Sequence, residues 1–370
     1  MNFKHSKKKE LTQKKYIVLL LIIFVQFGYA QTYRLSQWRA GQLGRGINVS
    51  WLEQYWNPKA LYLNKLTDAD FRLITGLGLK TIRLPVAFQH FYIQGSDLQK
   101  AKLLSDIDAV IKKAIRYRVR LVLVNHYGNL RAEYLQYDTQ QLLALWTFLE
   151  KRYRKISCNS LYFELLNEPV VNDQQWLPVA QQLIAVIRKM SPDRTIIIGG
   201  SNYNSMYELS RITPLPFKNI IYTFHFYEPF IFTHQGAGWI GKQVSTTGIP
   251  FPYQDRQMPP MAPSAKGTAG EANYKNYQNE GKAGAVHDKL LIIKQWSDTH
   301  HVPILCGEYG VYRKYASGQS ICNYLTVVKN ELDRLAIPWM VWEYDENFSI
   351  FNGKPGMKTL SPCMVDFFRK

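Results

Sequence analysis

The 370-residue chain holds only four cysteines and no CxxC pair. That excludes a disulfide scaffold and a cysteine-based zinc site. It has no HExxH or HxH, and its long histidine spacings do not suit a metal centre. No GxSxG occurs, which removes the serine nucleophile of an α/β-hydrolase. Neither GxGxxG nor GxxxxGK[ST] follows the first strand candidate, so a nucleotide-binding open sheet lacks its signature. No apolar run reaches the roughly 20 residues of a membrane span. After residue 30 the basic residues are scattered without a sustained run. The formal charge of +18 therefore reads as a bias in surface potential, not as a nucleic-acid site.

What is present is apolar and aromatic: 46% hydrophobic and 14% aromatic residues, enough for one large core. Residues 1–15 are rich in lysine, Tyr16–Phe27 is an apolar run broken only by Gln26, and Gly28-Tyr29-Ala30 supplies small residues. This order predicts a signal peptide over 1–30 and a mature domain over 31–370, secreted or periplasmic. An uncleaved anchor is the alternative. No cysteine follows the apolar run, which speaks against a lipoprotein, and no stable membrane insertion is expected after removal. Cys158, Cys306, Cys322 and Cys363 all fall in the mature part; their pairing is open, with Cys306 read as core filler.

Continuous apolar runs predict strands at Gly46–Val49, Thr81–Pro85, Leu121–Asn125, Tyr162–Leu166, Thr195–Ile198, Ile220–His225, Ile304–Cys306 and Trp339–Trp342. Runs without polar alternation suit parallel strands covered on both faces. Helical patterns lie between them at Leu66–Leu77, Leu98–Tyr117, Thr139–Tyr153, Trp176–Met190, Ala285–Thr299 and Gln319–Leu335. Asp138 with Gln141 reads as a capping box for the third. Eight strands alternating with helices predict an α/β fold, a (β/α)₈ barrel. Residues 229–282 break the rhythm and read as one long loop after the sixth strand, over the barrel mouth.

The residues that follow the strands share one mouth in such a barrel. They are Arg83, Asn125-His126-Tyr127, Asn167-Glu168-Pro169, His225-Phe226-Tyr227, Glu308-Tyr309 and Trp342-Glu343. Glu168 taken alone suits a solvated turn, and Glu308 a helix cap. Two carboxylates at one mouth shift both towards paired acid and nucleophile chemistry. Glu164, four residues before Glu168, reads as a deeper, hydrogen-bonded carboxylate. Trp38, Trp51, Trp56, Trp239 and Trp342 divide between core packing and flat platforms for sugar rings.

On these residues the chain resembles glycoside hydrolase family 5, the cellulase family, over roughly residues 44–350. The likeness is carried by Leu165-Leu166-Asn167-Glu168-Pro169, Thr81-Ile82-Arg83-Leu84-Pro85, Asn125-His126-Tyr127, His225-Phe226-Tyr227, Gly307-Glu308-Tyr309-Gly310 and Trp342-Glu343-Tyr344-Asp345. The resemblance implies Glu168 as general acid/base and Glu308 as nucleophile. It implies that Asn167 binds the sugar 2-hydroxyl and that Arg83 and Tyr227 orient the nucleophile. His126, His225 and Trp342 would line the cleavage subsite. It further implies a secreted retaining endo-β-glucanase acting on β-1,4 bonds, without cofactor or metal. The expected partner is a β-linked polysaccharide or oligosaccharide, with no nucleic acid, and the expected state is a monomer. β-Mannan, mixed-linkage glucan or an acidic exopolysaccharide are the other substrates, and a non-catalytic carbohydrate-binding barrel is the alternative of another class. Glu168 and Glu308 together argue against that last reading.

Overall fold

The computed structural model describes residues 35–63 and 66–369. The signal-peptide expectation over 1–30 lies outside the described residues. Eight parallel strands close into a barrel in sequence order: β1 (Arg45–Asn48), β2 (Thr81–Val86), β3 (Arg120–Asn125), β4 (Leu161–Glu164), β5 (Ile196–Gly199), β6 (Ile220–His225), β7 (Ile304–Tyr309) and β8 (Trp339–Val341). β8 returns to β1, pairing Trp339 with Arg45. Each expected strand forms within two or three residues of its expected bounds.

Alternation along the strands sorts the side chains into two apolar layers. Val122, Val124, Tyr162, Ile197, Ile221, Leu305 and Met340 fill the barrel interior with Ala40 and Leu43, which come from a helix at 35–43. Their neighbours Leu121, Leu123, Phe163, Ile196, Ile198 and Val341 pack outwards against the helices. Continuous apolar runs are the sequence form of this two-sided burial. Towards the strand ends the interior changes character: Asn48, Arg83, Glu164 and Thr223 are fully buried there and form a polar floor beneath the mouth.

Two expectations about elements need correction. The helix expected at Thr139 starts at Leu135 and runs to Tyr153. Asp138 therefore sits in its first turn, where it clamps Arg131 through both carboxylate oxygens (2.7 and 2.9 Å) and is no cap. Residues 229–282 are not a structureless loop. They contain a helix at Ala269–Glu280 and short helical turns at Phe230–Thr233, Lys242–Val244, Asp255–Gln257 and Pro263–Ala265. The buried Tyr277 hydroxyl donates to the carbonyl of Pro250 (2.6 Å), and the Gln235 carboxamide bonds both backbone groups of Ile249 (2.9 and 3.2 Å). Cys322 and Cys363 form a disulfide, while Cys158 is free and Cys306 is free and buried in the core.

Candidate active site

Arg83 is the third residue of β2, points into the barrel and is fully buried. All five of its N–H donors are used. Nε and Nη2 bond the two oxygens of Glu164 (2.9 and 2.6 Å), and Nη2 also bonds Asn167 Oδ1 (2.6 Å). Nη1 bonds Asn48 Oδ1 (2.9 Å) and Glu308 Oε1 (2.5 Å). One guanidinium thus ties the ends of β1, β2, β4 and β7 together, a geometry lysine cannot reproduce. Burial works against its charge, but Glu164 and Glu308 more than compensate and raise its pKa.

Glu308 is the fifth residue of β7, opposite His225 of β6 in a register that shifts at this point. The preceding Gly307 is required by space: a Cβ there would stand 2.7 Å from Thr223 Oγ1. The second Glu308 oxygen accepts from the Tyr227 hydroxyl at 3.0 Å. Burial first, then the Glu308 charge, holds that hydroxyl well above its ordinary pKa, so it remains a donor.

Glu168 follows β4 by four residues and reaches the same point from the other side. Its Oε1 lies 2.8 Å from His225 Nδ1, which stands 3.5 Å from Glu308 Oε2. One ligand atom from each of Glu168, His225 and Glu308 falls within 4.8 Å of the others. The Glu308 side chain is 5% exposed, whereas Glu168 is 34% exposed, open towards the cleft. The Glu168 pKa is raised first by burial and then by Glu164, against His126 and Arg83. Desolvation is the larger of the two raising causes, ahead of the neighbouring negative charge. His126 and His225 are both pushed down to about 4, because burial outweighs the nearby carboxylates, so both imidazoles are neutral at neutral pH.

Among the described residues, the Glu168–His225–Glu308 group has donors spaced to hold a cation. Its Glu308 oxygens already accept from Arg83 and Tyr227, which suits a carboxylate kept for chemistry.

All eight expected site residues gather at this mouth. Trp342 stacks on His126, rings 5.9 Å apart and 19° from parallel, and Asn167 Nδ2 lies 3.4 Å from His126 Nε2. The other tryptophans divide: Trp51 is buried, Trp38 sits on the helix at the opposite end, and Trp56 and Trp239 are exposed at the rim. Sequence reasoning missed Glu53 and gave Glu343 no role. Glu53 Oε2 lies 2.7 Å from His126 Nε2, and burial, aided by Glu168 and opposed by Arg83, raises its pKa to about 8. Glu343 is buried, accepts from the Ser50 hydroxyl, and is held protonated far above its ordinary range by burial. Glu53 lies in a short turn after β1 that matches no motif; its only signal was position beyond a strand end.

The sequence profile of the cellulase family, glycosyl hydrolase family 5, matches residues 40–348. Endoglucanase 3 of Fibrobacter succinogenes is 29% identical over 365 residues, covering 91% of this chain and 55% of that protein. Endoglucanase C of Acetivibrio thermocellus is 34% identical over 209 residues, covering 52% of this chain and 60% of that protein. The chain therefore spans only part, somewhat over half, of the length of these relatives. A structure of Thermotoga maritima Cel5A in complex with cellobiose superposes with a TM-score of 0.71 at 25% identity, over 89% of this chain and 98% of that one. The same protein in complex with mannotriose gives 0.70 at 26%, over 87% and 97%.

Proposed function

This chain belongs to glycosyl hydrolase family 5, and from that premise we propose that it is an exported retaining endo-β-glucanase that hydrolyses β-1,4-glucosidic bonds. The observation that carries the reading is the approach of Glu168 and Glu308, with oxygens within 4.8 Å. Retaining enzymes hold their carboxyls about 5–5.5 Å apart, whereas a water activated between them needs roughly 6.5–9.5 Å.

The Glu308 carboxylate, oriented by Arg83 and Tyr227, attacks the anomeric carbon. The glycosidic bond breaks with its electron pair going to the leaving oxygen, which takes the Glu168 proton. Water then attacks the glycosyl ester, gives a proton to Glu168, and the pair of the ester bond returns to Glu308. Glu168 suits the first role because burial favours its protonated form. On the family likeness we assign Asn167, fixed by Arg83, to the sugar 2-hydroxyl and Trp342, beside His126, to the platform beneath the ring.

The endoglucanase names of the relatives support a β-glucan. β-Mannan is the second reading, because Cel5A has been captured with mannotriose as well as cellobiose. An acidic polymer is disfavoured, because the donors of Arg83, the buried cation of this mouth, are all committed to protein oxygens. Release of reducing ends from a panel of β-glucans, β-mannan and acidic polysaccharides tests the substrate, and the anomer first formed, followed by NMR, tests retention. A folded protein silent on the whole panel would favour a binding module, and initial formation of the α-anomer would exclude double displacement.

A further inference from the structure

Thr223 and His225 alternate with Phe224 on β6, so both side chains point into the barrel, on the same face as Ile221. Both residues are buried. Thr223 Oγ1 and His225 Nε2 are also buried, and neither has a hydrogen-bond partner. Native structures rarely leave buried polar atoms in that state, and each such case calls for a reason. These two atoms border one gap. A Cβ on Gly307 of β7 would stand 2.7 Å from Thr223 Oγ1 and 3.5 Å from His225 Nε2. Glycine at 307 keeps side-chain carbon out of the space between them.

The neighbouring donors are committed elsewhere. Asn48 Nδ2 bonds the carbonyls of Gly307 (3.0 Å) and Val341 (3.3 Å). Arg83 spends its N–H groups on Glu164, Asn167, Asn48 and Glu308. The Thr223 hydroxyl is left as a donor for Nε2.

At its other nitrogen His225 faces acceptors. Nδ1 lies 2.8 Å from Glu168 Oε1 and 3.5 Å from Glu308 Oε2. A neutral imidazole carries one N–H, and the bond made at one nitrogen decides where that hydrogen sits. With the hydrogen on Nδ1, the ring donates to Glu168 Oε1. The acid proton of Glu168 then sits on its other oxygen, free to meet the leaving group. With the hydrogen on Nε2, bare Nδ1 would accept from the Glu168 carboxyl and turn its proton away from the substrate. The Nδ1–H form also suits the second step, when Glu168 is a carboxylate and accepts from the same N–H. One tautomer serves both halves of the reaction.

We propose that Thr223 is a positioning residue for the acid/base: through one bridging water its hydroxyl supplies the hydrogen bond that His225 Nε2 accepts, which fixes the ring in the Nδ1–H form. A water in such a gap satisfies two buried polar groups that have no other partner. The catalytic use of this tautomer rests on the hydrolase reading; the tautomer itself does not.

Two experiments test the proposal. Nitrogen-15 NMR of the full chain with labelled histidine reads the tautomer without substrate, the His225 signals being assigned by their loss in His225→Gln. The Nδ1–H form is expected in wild type and in Thr223→Ser, with a shift towards Nε2–H in Thr223→Val. Wild type found as Nε2–H would overturn the proposal even if Thr223→Val fails to fold. An unchanged Nδ1–H form in folded Thr223→Val would overturn it as well. The second experiment compares kcat/KM on two aryl β-cellobiosides. A dinitrophenol departs without an acid, whereas a plain phenol needs one. Thr223→Val should lose about five- to tenfold on the phenyl substrate, the scale of one neutral hydrogen bond, and nothing on the dinitrophenyl substrate. Thr223→Ser should restore the loss. Equal losses on both substrates would make Thr223 a packing residue and overturn its positioning role. A wild type inert towards both would count against the hydrolase reading, and the NMR signal would still decide the tautomer.

Discussion

Arg83 concentrates the electrostatics of the mouth in one side chain, because two carboxylates, Glu164 and Glu308, share its single positive charge. Glu164→Gln removes one of them while keeping the shape. The expected cost is about 1–3 kcal/mol in urea denaturation, for one lost charged hydrogen bond in a buried site. The same substitution acts on Glu168, whose pKa the Glu164 charge raises. Without that charge Glu168 gives up its proton at lower pH, so the alkaline limb of the kcat/KM profile moves towards acid. In the unaltered protein that limb lies above the ordinary carboxylate range, because activity falls as pH rises through the raised Glu168 value. Glu308→Gln is expected to abolish nearly all turnover while the protein still folds, at a stability cost of about 1–3 kcal/mol for the charged hydrogen bond to Arg83; near-normal rates would remove Glu308 as nucleophile. Arg83, Glu168 and Glu308 were legible because each stands in a short string beside an apolar strand. The protonated carboxyl of Glu53 was not, since its character comes from burial against His126 and leaves no trace in local sequence.

At the scale of elements, the strands could be read because two-sided burial demands unbroken apolar runs, and chain direction then put their ends together. The helix at Ala269–Glu280 could not: within AGEANYKNYQNE only Gly270 and Tyr277 are buried, so it has almost no apolar face to show. It is held by tertiary hydrogen bonds such as that of Tyr277 to Pro250, which no periodicity announces. Tyr277→Phe is therefore expected to loosen the insertion. Limited proteolysis within 250–268 should accelerate, with global stability lowered by only about 0.5–1.5 kcal/mol. The C-terminal helix Pro362–Arg369 is likewise secured from outside its own sequence, by Cys363 bonded to Cys322 and by Phe367 against Trp339. A cross-link spanning 41 residues stabilises by up to about 4 kcal/mol in the chain-entropy picture. Reduction should lower the melting temperature, and Cys322→Ser should abolish that sensitivity to reductant.

The whole molecule separates its tasks by end: packing at the strand-entry end, chemistry at the strand-exit end. Leu43→Ala, in the helix that plugs the entry end, is expected to cost about 2–5 kcal/mol. Reducing-end release measured well below the melting temperature should stay unchanged, since Leu43 touches the inner core and nothing at the mouth. Barrel closure itself rests on the pairing of Arg45 with Trp339, between the first strand and the last. A ribosome makes those strands at opposite ends of its task. Asn48 and Arg83 emerge early, Glu308 late and Trp342 later still, and the junction that unites them exists only once β8 has met β1. An unfinished chain is thus inert, whatever its length short of the eighth strand, and it carries an open sheet edge for as long as synthesis lasts. Whatever chemistry the mouth performs comes only with completion, and the barrel itself does the timing.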